Sequence, residues 1–466
     1  MIAKELRALL PVWAASAAAI VACGLFRTLY PFGVPAYFFG AAALGAMAFG
    51  HEYGHRTLPL MLTLPVSRTR ILLTKLVVLA ATLLLLAVVA TTVLPFWREA
   101  RFFPRTVMWL PFFAGLLITP YLTIVTRSPL GGAVFTLGLS GMLLVAGEWI
   151  GISKYGYSRE VDDFRVAFVW YALVVLSAGS ALGLWRAFGR LQSLDGGDDA
   201  IDLTPGTVST SHALRRQNPI WLLIKKELRL QQLSFAVAAL FVVIFTSLSI
   251  QRADVLPAGL IPILYAVMLA GLIGATASAE ERHLRTLDAQ LLLPMPASRQ
   301  WLIKIGVVIT LSLVLAILLP AGLAAALTTS HITRTILQML FFSKFVLVLL
   351  GITVLSLYVS TLCSSSIWAL MISVPTALAA AAAVLPLGDQ LQHYLYSLGG
   401  RPDWRLIERL TLLLTLAVFG IVLRLAFVNH RSADRSAART VSQIAIAAGS
   451  VGLAAAILAV TGSLTS

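Results

Sequence analysis

The sequence predicts an all-α, polytopic transmembrane helical protein made of two pseudo-symmetric six-span units plus an extra C-terminal span. Three observations carry that prediction. First, 59% of the 466 residues are hydrophobic and only 12% are charged, with a mean hydropathy of +0.90; a soluble domain has about a quarter of its residues charged. Second, apolar stretches of about 20 residues, the length that crosses a hydrocarbon core of about 30 Å, recur along the whole chain. Third, a polar, charged segment of the first half returns in the second. Collagen-like, disordered and disulfide-scaffold chains are excluded by the same composition. Cys23 and Cys363 are the only cysteines and lie in or beside apolar segments, so neither a disulfide framework nor a cysteine-based metal site is expected.

Taken in order, apolar windows place spans near 12–30, 34–50, 76–95, 107–126, 130–150 and 166–185, and, after a polar interval, near 233–250, 256–278, 305–328, 336–361, 367–386, 408–428 and 441–462. The start, MIAKELRALLP, is an amphipathic mixture without a short apolar core leading to a cleavage site, so it is expected to be retained. Alternate connections carry the basic residues: Arg56, Arg68, Arg70 and Lys75; Arg186, Arg190, Arg215 and Arg216; Arg282, Arg285, Arg299 and Lys304; Arg431, Arg435 and Arg439. By the positive-inside rule these face the cytoplasm, with the N-terminus on the same side. The net charge of +15 reflects that rule, and with no basic face of useful length, nucleic acid is not an expected partner. Segments 97–105 and 148–165 read either as outer amphipathic caps or as plain interfacial loops.

The division of the chain follows. Residues 1–190 form a first unit of interfacial helix and six spans; 191–218, rich in Asp, Gly, Ser and Thr and lacking aromatic residues, form a flexible cytosolic linker; 219–439 repeat the first unit; 440–466 hold the extra span. At a shift of 229, Glu52–Lys75 aligns with Glu281–Lys304 without a gap, and ten of the 24 positions are identical. These are the pairs 52/281, 56/285, 57/286, 58/287, 62/291, 64/293, 65/294, 70/299, 73/302 and 75/304, where chance gives roughly two or three. At a shift of 222, Ile2-Ala-Lys4-Glu5-Leu6-Arg7 aligns with Ile224-Lys-Lys226-Glu227-Leu228-Arg229. Duplication accounts for both better than convergence of two Leu-rich loops.

Lys4, Glu5 and Arg7, and likewise Lys226, Glu227 and Arg229, alternate with Leu and Ile as in a helix lying at the membrane surface, where membrane lipid is the first partner. After the second span of each half come a Glu, a Leu-rich stretch, a helix-breaking Pro and a basic end that re-enters the bilayer. Such a segment, present twice, is either a docking surface for a two-fold cytosolic partner or an ordinary loop.

The segment HEYGHRTLPLMLTLPVSRTRILLTK, residues 51–75, resembles the signature of the type-2 (ABC-2) permeases of ATP-binding cassette exporters: a Glu, then Gly-Thr-Leu, a Leu-rich turn, Pro-Val-Ser-Arg and a Lys. EERHLRTLDAQLLLPMPASRQWLIK, residues 280–304, resembles it again, with Pro296-Ala297-Ser298-Arg299 for Pro-Val-Ser-Arg. Arg56, where the family often has Gly, and the extra C-terminal span depart from the pattern. The resemblance implies two permease units fused in one chain, lining a path for an exported substrate that the sequence does not identify, in a bacterial-type inner or plasma membrane. It implies two copies of a cytosolic ATP-binding cassette subunit that grip the segments after spans two and eight. The contact would run through Glu52, Arg56, Thr57, Pro65, Ser67 and Arg68, and through Glu281, Arg285, Thr286, Pro294, Ser298 and Arg299. Glu52 and Glu281, with Arg56 and Arg285, are expected to transmit the push. No G-x-x-x-x-G-K-[ST] loop occurs in the chain, so ATP and Mg belong to the partner and no catalytic residue or cofactor is expected here.

Two other readings compete. His51-Glu52-Tyr53-Gly54-His55 fits H-E-x-x-H, the helical zinc motif of metalloproteases, and Leu194-Asp195-Gly196 resembles the second motif of the intramembrane class. The acid recurs as Glu281, but positions 280 and 284 are Glu and Leu, and Asp195 sits in a flexible linker, so no metal is expected. An ion-coupled secondary transporter would want acids near mid-membrane. Glu148 and Glu408 lie near span ends, and Lys344 is the clearest charge inside a span, where it can snorkel outward.

Overall fold

The computed structural model describes residues 2–25, 30–55, 66–94, 109–156, 160–190, 219–249, 257–283, 295–327, 338, 343–363, 365–374, 376–377, 404–431 and 437–465. Its elements are α1 (Ile2–Leu25), α2 (Tyr30–His55), α3 (Arg68–Val93), α4 (Trp109–Thr126), α5 (Pro129–Tyr155), α6 (Glu160–Arg190), α7 (Pro219–Leu230), α8 (Gln232–Ser249), α9 (Pro257–His283), α10 (Ala297–Leu327), α11 (Ser343–Leu362), α12 (Trp404–His430) and α13 (Ala437–Thr465). The protein is an all-α polytopic membrane protein. Among the described residues nine helices are long and apolar enough to cross a membrane, or ten if the bent pair α7–α8 counts as one. Thirteen spans were expected. The difference falls on 130–150, where the described apolar helix is the shorter Pro129–Leu144, on 367–386, half of which lies outside the described residues, and on α13.

The chain divides into two compact units, Met1–Gln217 with Ala236–Ala253, and Asn218–Phe235 with Asp254–Ser466. Most of α8 therefore groups with the first half, where Leu240 packs over Gly138 of α5.

Each unit is organised around one helix of small residues. In α2 the span Gly33–Glu52 is 83% buried, and in α9 the span Pro262–Arg282 is 78% buried, far more than any other span. Small side chains let neighbouring backbones approach, the usual basis of helix association where lipid removes the hydrophobic drive. A Cβ placed on Gly45 would lie 2.2 Å from the Gly115 carbonyl oxygen of α4; one on Gly274 would lie 2.5 Å from the Thr353 carbonyl oxygen of α11. These glycines are 229 residues apart, as are the pairs Ala41/Ala270, Ala46/Ala275 and Ala48/Ala277, so the repeat extends into the span, upstream of the stretch that revealed it.

Two spans contain π-helical turns, Ala114–Ile118 in α4 and Ser312–Leu318 in α10. A π turn displaces carbonyls from the i−4 ladder, and side-chain hydroxyls meet them: Thr119 Oγ1 donates to the Ala114 oxygen at 3.1 Å, and Tyr265 Oη to the Leu315 oxygen at 3.0 Å.

The two halves differ at their start. In the first, the amphipathic segment and the span form the single helix α1, which tolerates Pro11. In the second, α7 and α8 meet at a 56° bend on Gln231. The buried Gln231 amide donates to the Ile273 carbonyl at 3.0 Å, and its oxygen accepts from Ser234 and Thr276 at 2.9 and 3.0 Å. The residue at the matching position of the first half is Leu9, which has no such bonds to offer and lies buried in a continuous helix.

α13 is held to α12 by a reciprocal amide pair. Asn429 Nδ2 donates to Gln443 Oε1 at 2.9 Å, and Gln443 Nε2 to Asn429 Oδ1 at 2.8 Å, both side chains being buried. Gln443→Leu leaves the Asn429 amide without this partner and is expected to cost about 1–3 kcal/mol. Limited proteolysis should then release the C-terminal helix faster, and adding Asn429→Leu should slow the release again; an unchanged rate in Gln443→Leu would show that the pair does not hold α13.

Candidate functional site

The most concentrated polar chemistry among the described residues lies at one end of α2 and α3 in the first half, and at the matching end of α9 and α10 in the second. Lys75 is on the inward face of α3, with Ile71, Leu72, Val78 and Leu79. A lysine so placed cannot reach water, its side chain being 1% exposed, and so it requires anionic partners. It has two. Glu5 of α1 lies at 2.8 Å and Glu52 of α2 at 2.7 Å, and Lys75 Nζ also donates to the Ala48 carbonyl at 2.9 Å. The ring of Phe49 lies 5.4 Å from the ammonium.

The second half repeats this arrangement. Lys304 of α10 lies 2.9 Å from Glu227 of α7 and 2.9 Å from Glu281 of α9, and donates to the Ala277 carbonyl at 2.7 Å. Each charged member and the accepting carbonyl has its counterpart, Lys75/Lys304, Glu52/Glu281 and Ala48/Ala277 at the shift of 229 and Glu5/Glu227 at 222, while Ser278 stands where the first half has Phe49. Each cluster joins three elements, the N-terminal helix of its half, the end of the second span and the start of the third.

The two clusters are not identical. Lys226 reaches Glu281 at 2.6 Å, giving the second cluster two cations for two acids. Its counterpart Lys4 is exposed.

The residues singled out from the sequence divide into three groups. Glu5, Glu52, Lys226, Glu227 and Glu281 come together in the clusters. Lys4, Arg7, Arg229, Ser67, Arg68, Ser298 and Arg299 are exposed around them. Arg56, Thr57, Pro65, Arg285, Thr286 and Pro294 lie outside the described residues. Arg68 Nη1 donates to the Gly189 carbonyl at the end of α6, 2.5 Å away, and Arg282 Nη2 to the Asn429 carbonyl near the end of α12, 3.0 Å away; cations suit the carbonyl-rich ends of helices.

Two points were missed at the level of sequence. The lysines that organise the clusters, Lys75 and Lys304, were seen as repeated but not as site residues, although two charges kept at the same place in an apolar stretch were the available signal. The Pro-Val-Ser-Arg and Pro-Ala-Ser-Arg motifs are also not structurally equivalent. α3 is capped by Ser67 and α10 by Pro296, 229 residues apart, so Arg299 occupies the place of Arg70, and Arg68 corresponds to Ala297.

The zinc reading meets a direct obstacle, since the acid that would act as general base, Glu52, is engaged by Lys75. The side chain of His55 and the motif at Asp195 lie outside the described residues, as does the side chain of Lys344. Among the described residues no group of three or more His, Cys, Asp or Glu could hold a metal ion.

Comparison with known proteins gives one result. Residues 25–146 match the family described as ABC-2 family transporter protein. No curated protein and no solved structure matches the chain. The matched stretch runs from the end of α1 into α5 and contains Glu52, the segment after it and Lys75. With the membrane-spanning helices, the match supports an ABC-2 type permease, the multi-pass membrane component of a transporter that associates with ATP-binding cassette subunits.

Proposed function

We propose that the chain is the permease of an ATP-binding cassette exporter, two permease units fused in one polypeptide, with its N-terminus in the cytoplasm of a cell bearing it in the inner or plasma membrane. Two copies of a cytosolic ATPase subunit, which carry ATP and Mg, would bind the segments after the second span of each half. The observation that carries this reading is the repeated ion-paired cluster at both ends of each such segment. A force applied to residues 53–74 or 282–303 arrives at a lysine bound to three helical elements, so it is delivered to a bundle and not to a single helix. Glu52 and Glu281 are buried, which makes them the brace of this device; the exposed Ser67, Arg68, Ser298 and Arg299, together with Arg56, Thr57, Arg285 and Thr286, are its contact surface. ATP-driven approach of the two cassettes would rock the helices of each half and open the path, the usual alternating-access logic.

The test is co-purification of the tagged chain with a candidate cassette subunit and measurement of vanadate-sensitive ATPase. The exposed pair Ser298→Arg with Arg299→Glu is expected to reduce stimulated ATPase at least tenfold while leaving the permease folded. No associating ATPase, or full stimulation in the double variant, would overturn the assignment of the contact surface. One zinc per chain, lost on His51→Ala, would favour the membrane zinc enzyme instead.

A further inference from the structure

We propose that the first half carries a binding site for an anionic phospholipid, in the groove between the start of α1 and the outer face of α3. The groove has a volume of about 350 Å³ and is lined by Ile2 and by Ser67, Thr69, Arg70, Leu73, Thr74 and Val77.

The chemistry changes along the groove. At the helix start are two hydroxyls and a guanidinium. Ser67 makes no capping hydrogen bond, and the exposed side chains of Thr69 and Arg70 have no partner among the described residues. From Leu73 onward the wall is apolar apart from Thr74, whose hydroxyl donates to the Arg70 carbonyl at 2.7 Å. The outer face of α3 continues with exposed Val77, Leu84, Leu85 and Val88. From Arg70 to Val88 this stripe is roughly 27 Å long at 1.5 Å per residue, more than enough to lie along one acyl chain.

Charge complementarity selects the headgroup. α3 opens on Arg68 and Arg70 with no acid in its first turn, which places cations at the positive end of the helix dipole, the end that favours anions. Arg68 is turned to the Gly189 carbonyl, leaving Arg70 to face the groove. A phosphate diester with one net negative charge supplies what that end lacks, and guanidinium binds phosphate oxygens through paired donors. A basic residue at the cytoplasmic membrane surface is attracted to anionic headgroups. The second half lacks the complete arrangement: Pro296, Ile303 and Gly306 stand where Ser67, Thr74 and Val77 stand here, so two hydroxyls are gone and the wall is flattened although Arg299 keeps the charge.

The full-length chain, delipidated in dodecyl maltoside, would be titrated with dioleoyl phosphatidylglycerol and, separately, dioleoyl phosphatidylcholine, with bound lipid counted by native mass spectrometry. Expected is one site per chain that prefers phosphatidylglycerol by about tenfold or more. Arg70→Gln should bring the ratio near one, and Arg299→Gln should leave it unchanged. Leu73→Ser with Val77→Ser should weaken both lipids alike. Arg70 is exposed and its side chain pairs with none of the described residues, so its variant should keep the wild-type melting temperature. A preference that survives in Arg70→Gln would overturn the site. So would displacement of the lipid by millimolar inorganic phosphate, which would show that an anion alone is what the groove binds. The result does not depend on any cassette subunit, so it stands or falls separately from the transporter reading.

Discussion

Lys75→Met is expected to be among the most damaging single substitutions in the protein. It removes the cation that pairs with both Glu5 and Glu52, two buried carboxylates, and methionine fills the same volume without charge. Breaking a buried ion pair from one side costs about 3–5 kcal/mol, because the remaining charge is left in a low-dielectric surrounding. The measurement is the fraction of purified protein that stays monodisperse after a graded heat step, since a chain of two compact units need not unfold in one transition. Adding Glu5→Gln and Glu52→Gln should recover most of the loss, as replacement of a whole buried cluster by neutral groups is often nearly neutral. Lys304→Met should be milder, because Lys226 still holds Glu281. If the triple variant is no more stable than Lys75→Met, or if Lys304→Met is the worse of the two, the cluster is not what sets stability at this site.

The second large effect is expected from glycine. Gly274→Val places atoms where the Thr353 carbonyl oxygen, 2.5 Å from an added Cβ, already stands, and Gly45→Val meets the Gly115 carbonyl oxygen at 2.2 Å. Neither neighbour is the tip of a flexible side chain, so helices must move apart. Overpacking costs typically 1–3 kcal/mol and more where backbone is the obstacle, and both variants are expected to lose folded protein on extraction. Gly306→Ala and Gly322→Ala are the controls: nothing lies within 4 Å of an added Cβ at either, and alanine is favoured over glycine inside a helix by about 0.5–1 kcal/mol. A tolerated Gly274→Val would mean that α9 and α11 are not packed as closely as their backbones indicate.

The helical spans were legible because crossing a bilayer imposes a length and an apolar composition that few other constraints override. The clusters were legible only in part. Glu52 and Glu281 stood out through repetition, but nothing local to them shows that they face a lysine, because the pairing depends on how α1, α2 and α3 pack. Glu5 lies 70 residues from Lys75 in sequence. Gly45 and Gly274 were hidden for a different reason: a match of small residues carries little weight in a chain rich in alanine, and only the close backbone crossings give it meaning. The bend at Gln231 could have been suspected from one comparison, a glutamine where the first half has Leu9, since a buried amide must find its bonds somewhere.

The ion pair of Glu52 with Lys75 has a further consequence. It ties the last turn of α2 to the first turns of α3, with 2.7 Å between carboxylate and ammonium, an electrostatic staple across the two helix ends. The second half carries the same staple, with 2.9 Å between Glu281 and Lys304 and the same number of residues between them. Stapled in this way, the two helix ends of each half move together, since neither can shift away from the other without first breaking a buried charge pair. A residue inserted between α2 and α3 would leave the staple itself in place.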